Sequence, residues 1–212
     1  HEILADRLAD VRRLPVRGLR LLVPTTLMLD ALEPAVAHAF EAALSHLRAA
    51  GALVDERPLP ALGRLAELNA QGGFSAAESW AWHRQRLAER ADRYDPRVAL
   101  RIRRGQAIGA ADYVDLLQAR RAWIAEVGAE LHGFDAALSP TVPMVAPPLQ
   151  PLIDSDEAFF ATNALLLRNT AAVNFLDGCA ISLPCQPGHA LPVGLMAWAG
   201  PMADDRVLSV AL

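Results

Sequence analysis

Residues 163–195 carry the pattern that most restricts what this chain can fold into. Their first part predicts a core-packed helix because apolar residues recur at helical spacing: Ala164, Leu165, Leu167, Ala171, Ala172 and Phe175. We expect Gly178 to end that helix by taking a left-handed conformation. The short apolar runs 179–184 and 191–198 then predict a buried strand and a neighbouring strand. A helix followed by two such strands is typical of an α/β protein.

A second pattern, nearer the amino terminus, supports the same fold class. Residues 19–23 predict a strand, residues 35–50 a strongly periodic helix ended by Gly51, and residues 52–58 another strand. This order is that of a βαβ unit, which favours parallel pairing with a right-handed crossover. Residues 134–138 predict one more short strand. We expect residues 1–212 to form a single domain with a sizeable core.

Composition excludes several classes of protein. A formal net charge of −4 argues against a nucleic-acid-binding protein, and we interpret the basic runs 101–104 and 120–121 as solvated helix faces. Because we find neither a signal peptide nor a run of roughly 18 apolar residues, we expect no membrane contact and a cytoplasmic location. Two cysteines, Cys179 and Cys185, are too few for a disulfide framework or a zinc site.

The predicted helix near residue 170 carries polar side chains that need hydrogen-bond partners. Thr170 and Asn174 are four residues apart and so share a helix face, whereas Arg168 and Asn174 point in different directions. An unpaired polar group that is buried costs roughly 1–3 kcal/mol. The partners could be neighbouring backbone groups or a bound ligand, and the pattern alone leaves both open.

Taken in order, these motifs resemble the C-terminal half of the amidase signature family. The residues that carry the resemblance are Asp135, Leu138, Pro140, Thr141, Pro143, Thr170, Asn174, Gly178, Ser182, Pro184, the run 191–195 and Asp204. The chain departs from the family pattern at Cys179, where proline is usual, and at Met196, where glutamine is usual. The segment NFLDGCA, residues 174–180, is more similar to the corresponding sequence in the family branch that acts on urea-derived amides than to that of the tRNA-dependent amidotransferases.

The resemblance implies a mixed β-sheet flanked by helices, of which this chain supplies the C-terminal portion only. It also implies hydrolysis of a carboxamide to a carboxylate and ammonia or an amine, by a nucleophilic serine, a second serine in a cis peptide and a lysine. Those residues belong to the family's N-terminal half. This chain has no lysine, since all 20 of its Lys and Arg residues are arginine, and no Gly-Ser-Ser run. We therefore expect no catalytic residue in it, and neither a cofactor nor a metal ion.

The same resemblance suggests which residues face a substrate. Thr170, Asn174 and Asp177 are candidates for the pocket lining, and Arg121 or Arg168 for binding an anionic part of the substrate. A guanidinium suits this role because it binds carboxylates bidentately. Arg121 could equally be a surface or helix-pairing arginine, and Arg120 beside it is the alternative match to the family's arginine. We assign no base function to His83, for which the sequence offers no carboxylate partner.

Two functional hypotheses follow. In the first, the chain is part of an amidase for a small-molecule amide, with the missing catalytic half in the same polypeptide or in a partner chain, and a homodimer is possible. In the second, it is a non-catalytic α/β partner subunit or scaffold module related to amidases. The chain starts without methionine and ends within a helical pattern, so we expect a fragment of a longer protein.

Overall fold

A computed structural model describes residues 2, 6–188 and 190–212. The strands in this part of the chain are β1 (Arg20–Pro24), β2 (Leu53–Arg57), β3 (Ala136–Pro140), β4 (Cys179–Pro184) and β5 (Gly194–Ala199). The α-helices are α1 (Pro34–Ala49), α2 (Pro60–Gly63), α3 (Leu65–Leu68), α4 (Gly73–Glu89), α5 (Pro96–Arg103), α6 (Ala110–Glu130), α7 (Gln150–Asp154), α8 (Asp156–Phe175) and α9 (Asp204–Val210). Every predicted strand is present, although β3 and β5 begin two to three residues later than the sequence suggested.

The strands form one mixed sheet in the order β2-β1-β3-β5-β4. Strand β1 pairs in parallel with both β2 and β3, so the predicted βαβ unit is confirmed. Strand β5 runs antiparallel to β3 and to β4. The fold is therefore α/β with a mixed sheet and helices, as predicted.

The main core lies between one face of this sheet and helix α1. Leu21 and Val23 of β1 are buried together with Phe40 and Leu44 of α1, in a cluster that extends to Leu138. These strand residues are two apart and therefore project to the same face. The alternate residues of the strands, among them Leu22, Ala137 and Trp198, are also fully buried. Burial on both faces explains why the central strands β1, β3 and β5 read as apolar runs. The prediction that residues 179–184 form a buried strand is wrong, because β4 lies at the edge of the sheet and its residues alternate between half-buried and exposed.

The described residues divide into two compact units. The first runs up to Leu62 and from Glu126 to Leu212, and contains the sheet. The second, Gly63–Ala125, is helical, and inside it the Tyr113 hydroxyl donates a 2.9 Å hydrogen bond to Glu78. No described helix is both long and apolar enough to cross a membrane.

The end of helix α8 differs from the prediction. Asp177, and not Gly178, takes the left-handed conformation, with φ +61°. The N–H of the next residue, Gly178, donates to the carbonyl of Val173 at 3.0 Å. Gly178 is required for a different reason, because a Cβ at this position would lie 2.5 Å from the carbonyl oxygen of Ala199. Aspartate tolerates the left-handed region better than most residues, so the turn can form without a glycine there.

Two further local patterns behave differently from what the sequence suggests or lie partly outside the described residues. Ser75 followed by Glu78 three residues later is typical of a capping box, but α4 starts at Gly73 with Gly72 as its N-cap and no side-chain cap. Residues 187–189, Pro-Gly-His, are typical of a turn, but His189 lies outside the described residues.

Glu130, at the end of α6, gives the protein a pH-dependent stability. Burial is the main cause of a raised pKa of its carboxyl group, helped by the charge of Glu126 and opposed by Arg57. Its Oε2 atom is buried without a hydrogen-bond partner among the described residues. The folded protein therefore binds this proton more tightly than the unfolded chain does.

We expect stability to decrease as pH rises from the carboxyl group's unfolded pKa, about 4.3, through its higher folded-state pKa. Glu130→Gln should then be more stable than the parent at neutral pH, and this difference should disappear at pH values below the unfolded pKa. Urea denaturation across this pH range measures it, with the exposed Glu67→Gln as the control. Equal shifts in the two variants would contradict this explanation.

Candidate functional site

Asn169 ties three segments together at the carboxyl ends of β1 and β3. It is fully buried, and its Nδ2 donates to the carbonyls of Met28 at 3.0 Å and Pro140 at 2.8 Å. Met28 belongs to the loop after β1, and Pro140 is the last residue of β3. One side chain on α8 therefore fixes the position of that loop and of that strand end.

The loops after β1 and β3 are also joined directly. Glu33 accepts a hydrogen bond from Val145 N–H at 3.0 Å through its carboxylate, and its own N–H donates to the carbonyl of Pro143 at 2.9 Å. The first loop contains two non-glycine residues with positive φ, Leu27 at +66° and Ala31 at +46°. Such conformations persist only where surrounding contacts hold them. The contacts at Asn169 and Glu33 hold this loop.

Arg168 lies next to Asn169 and is partly buried. Its Nε donates to Asn169 Oδ1 at 3.1 Å, while its Nη2 is buried and has no hydrogen-bond partner in the described part of the chain. Burial lowers the pKa of this guanidinium, and the charge of Asp30 acts in the opposite direction. Arginine stays protonated in proteins, so Arg168 presents a desolvated cation with an unused donor.

The other predicted residues of α8 and its C-terminal turn are less enclosed. The Thr170 hydroxyl donates to the carbonyl of Leu167 at 3.2 Å. Of the two partners that the sequence left open, a backbone group or a ligand, it is thus the backbone that satisfies this side chain. Asn174 and Asp177 are exposed. Asn169, which the sequence showed only as an interruption of an apolar surface, is the buried member of the group. Its position two residues after the apolar Leu167 gave no signal of this role.

A pair of hydroxyl groups lies close to the end of β3. Thr141 Oγ1 and Ser182 Oγ are 2.6 Å apart, and a Cβ at Gly194 would lie 2.5 Å from each of them. Gly194 therefore leaves the space in which this hydrogen bond forms. Ser139, the next residue but one along the chain from Thr141, has a buried Oγ without a partner among the described residues.

Arg121 and His83 belong to the helical unit and are described within it. Arg121 is exposed, whereas its neighbour Arg120 packs over the ring of Phe74 at 5.7 Å. His83 Nδ1 lies 2.9 Å from the Tyr94 hydroxyl. The roles suggested for Arg121 and for the residues of α8 stay predictions.

The described residues contain no activated nucleophile that we can identify. Burial raises the pKa of the Cys179 and Cys185 thiols, so both are protonated at neutral pH and neither is suited to nucleophilic attack. Within the described residues, no group of three or more His, Cys, Asp or Glu side chains could hold a metal ion. The arrangement offers a half-buried guanidinium with charge suited to an anion, but residues 6–188 and 190–212 offer no Ser–base pair that we can identify.

Comparison with known proteins gives a consistent result. The Amidase family model matches residues 7–208. The chain is 33% identical over 202 residues to 2-amino-5-chloromuconic acid deaminase from Comamonas testosteroni, covering 93% of this chain and 43% of that protein. It is 26% identical to one of the subunits of glutamyl-tRNA(Gln) amidotransferase from Symbiobacterium thermophilum, covering 92% of this chain and 43% of that protein.

Solved structures share the fold. A crystal structure of an amidase superposes with a TM-score of 0.80 at 26% identity, covering 99% of this chain and 47% of the other. Allophanate hydrolase from Kluyveromyces lactis also superposes with a TM-score of 0.80, at 22% identity, covering 95% of this chain and 32% of the other. The chain thus spans less than half the length of these relatives.

Proposed function

The chain belongs to the amidase signature family, and from this premise we propose that it is the C-terminal half of an enzyme that hydrolyses the C–N bond of a carboxamide. The products are a carboxylate and ammonia or an amine. The observation that carries the proposal is the family match over residues 7–208. The match covers only 43% of the length of each of two relatives, which supports the proposal that this chain is one half of the enzyme.

The catalytic groups of the proposed enzyme lie outside residues 1–212. A serine nucleophile, a serine in a cis peptide and a lysine base form an acyl-enzyme, and backbone donors stabilise the oxyanion. The absence of lysine from this chain requires that the base comes from elsewhere. The catalytic half is part of the same polypeptide or of a partner chain, and the assembly could be a homodimer.

In this proposal the chain contributes the wall that recognises the substrate, and the substrate is acidic. One relative is named for the deamination of a muconic acid derivative, which is itself an acid. An acidic substrate requires a cation, and Arg168 supplies a half-buried guanidinium in the segment that the family resemblance points to. Asn169 holds this guanidinium in place through the 3.1 Å bond to its Nε. Thr170, Asn174 and Asp177 on the same segment, and Arg121, are further candidates for substrate contact.

Arg168→Gln is expected to lower kcat/KM for an acidic carboxamide by roughly tenfold to a hundredfold, because a hydrogen bond to a charged group contributes about 1.5–3 kcal/mol. A neutral carboxamide of similar size should be affected much less. Ammonia release by the complete gene product measures both. Arg103→Gln, which removes an exposed arginine of α5, is the matched control. Equal losses for acidic and neutral substrates would contradict the assigned role of Arg168.

A second candidate is a non-catalytic partner subunit or scaffold module. Two observations favour it: the chain covers less than half of its relatives, and one of them is itself part of a multi-subunit amidotransferase. This chain would then bind a separate polypeptide that carries the catalytic residues. The intact mass of the natural gene product separates the two candidates. A mass near that of this chain, 22.8 kDa, favours the partner-subunit candidate, and a mass near twice that value favours the single-chain enzyme.

A further inference from the structure

The two edge strands of the sheet differ in charge. Strand β2 forms one edge and strand β4 the other. Three of the five residues of β2 are charged, namely Asp55, Glu56 and Arg57, and all three are exposed. None of the six residues of β4 carries a charge, although every second one is exposed, among them Ala180 and Ser182. Proteins commonly protect an open sheet edge with charged side chains. Strand β2 therefore has the composition of an edge that faces solvent, and β4 does not.

The backbone of β4 carries donors that point away from the sheet. Just after the strand, the Cys185 N–H donates to the carbonyl of Val193 at 2.9 Å, which continues the antiparallel pairing with β5. Hydrogen-bonded and non-bonded positions alternate in such a pair, so residues 179, 181 and 183 bond to β5. The N–H groups of Ala180 and Ser182 therefore point outward, and neither has a partner among the described residues.

The length of the relatives indicates what covers this edge. The chain corresponds to 47% of the amidase of known structure and to 43% of the deaminase. More than half of each of those proteins thus remains to be packed against a chain like this one. An uncharged edge with free donors suits a neighbour that supplies backbone carbonyls, which is what a further β-strand does.

We propose that a strand of the catalytic half pairs with β4, so that the sheet continues beyond β4 and ends at β2. Carbonyl groups of that strand accept from the N–H groups of Ala180 and Ser182. The pairing stops at Pro184, the last residue of β4, because proline has no N–H to donate. The inference rests on the proposed function, since it takes the catalytic half as the partner.

Strand β2 provides a matched control within the same molecule. Its residues Leu53 and Arg57 bond to β1, because the Leu53 N–H donates to the Leu19 carbonyl at 2.7 Å and the Arg57 carbonyl accepts from the Thr25 N–H at 3.0 Å. In a parallel pair, every second residue of a strand bonds to a given neighbour. The N–H groups of residues 54 and 56 therefore point away from β1, as those of residues 180 and 182 point away from β5.

Hydrogen exchange at single-residue resolution in the complete natural protein, with any partner chain bound, tests the proposal. The amides of Ala180 and Ser182 should exchange at least about tenfold more slowly than those of Val54 and Glu56, because paired amides exchange only when the pairing opens. Equal exchange at the two edges would overturn the proposal. So would protection that is lost when the protein separates into single copies with the catalytic half still bound, because a second copy would then be the partner of β4.

The variant Ala180→Pro gives a second readout. A proline whose missing N–H faces solvent is tolerated in an edge strand, whereas in a central strand it removes a ladder hydrogen bond. In the complete protein, Ala180→Pro should therefore lower the midpoint of thermal unfolding more than the control Glu56→Pro does. The control also breaks the ion pair of Glu56 with Arg48, but ion pairs at the surface contribute little. An equal or smaller shift in Ala180→Pro would contradict strand pairing.

The same samples separate this inference from the proposed function. Slow exchange at Ala180 and Ser182 without release of ammonia from any carboxamide would fault only the proposed activity. Amide hydrolysis together with rapid exchange at both residues would fault only the pairing of β4.

Discussion

Asn169→Leu is expected to lower the free energy of unfolding by about 2–5 kcal/mol, because it leaves two buried carbonyls without their donor. These are the carbonyls of Met28 and Pro140, which Asn169 Nδ2 holds at 3.0 and 2.8 Å. Leucine is of broadly similar size to asparagine but cannot donate. The Arg168 side chain also loses its contact at Nε. Urea denaturation of parent and variant measures the difference.

Ala171→Ser, two residues further along the same helix, is the control for this experiment. Ala171 is exposed, so the substitution should change stability by about 0.5 kcal/mol or less. An Asn169→Leu variant as stable as the control would show that the loop after β1 does not depend on the contacts of Asn169.

Gly178→Ala is expected to destabilise the protein by about 2–3 kcal/mol through overpacking. The added Cβ would lie 2.5 Å from the carbonyl oxygen of Ala199 and 3.2 Å from Val173 Cγ1. The carbonyl belongs to the last residue of β5 and cannot move without disturbing its pairing with Cys179. Thermal and urea denaturation report the loss.

Gly128→Ala provides a control of opposite sign. Gly128 lies within α6, and a Cβ there would meet no atom within 4 Å. Alanine is the better helix former by roughly 1 kcal/mol, so this variant should be more stable than the parent. If Gly178→Ala also stabilises the protein, the close contact between residue 178 and the Ala199 carbonyl of β5 does not explain the glycine.

The strands and the βαβ unit could be predicted because local patterns determine them. Pro24 after Val23 indicates the end of a strand, and the helical spacing of Phe40 and Leu44 indicates a helix face. Both patterns are local and do not depend on the rest of the chain. The left-handed residue at the end of α8 could not be assigned in this way. Asp177 and Gly178 both fit that position locally, and the structure has the left-handed residue at Asp177. What requires glycine at position 178 is the approach of the Ala199 carbonyl from a distant strand, which no local pattern indicates.

In the candidate site, too, local patterns predict the segment but not the contacts that distant residues make with it. The resemblance to the family pointed to the segment around Thr170, which lies at the carboxyl ends of β1 and β3. The importance of Asn169 depends on two carbonyls that are 141 and 29 residues away in the chain, and no local pattern indicates such contacts. The orphaned Nη2 of Arg168 is likewise a consequence of packing.

Ammonia release from small carboxamides, measured for residues 1–212 alone and for the complete natural gene product with any partner chain, tests the central claim most directly. We predict activity in the complete protein and none in residues 1–212, because the isolated chain lacks the lysine and the serine-rich segment of the mechanism. Equal activity in the two samples would contradict the claim that catalysis lies outside this chain. No activity in either sample with any carboxamide would contradict the proposal that the protein is an amidase.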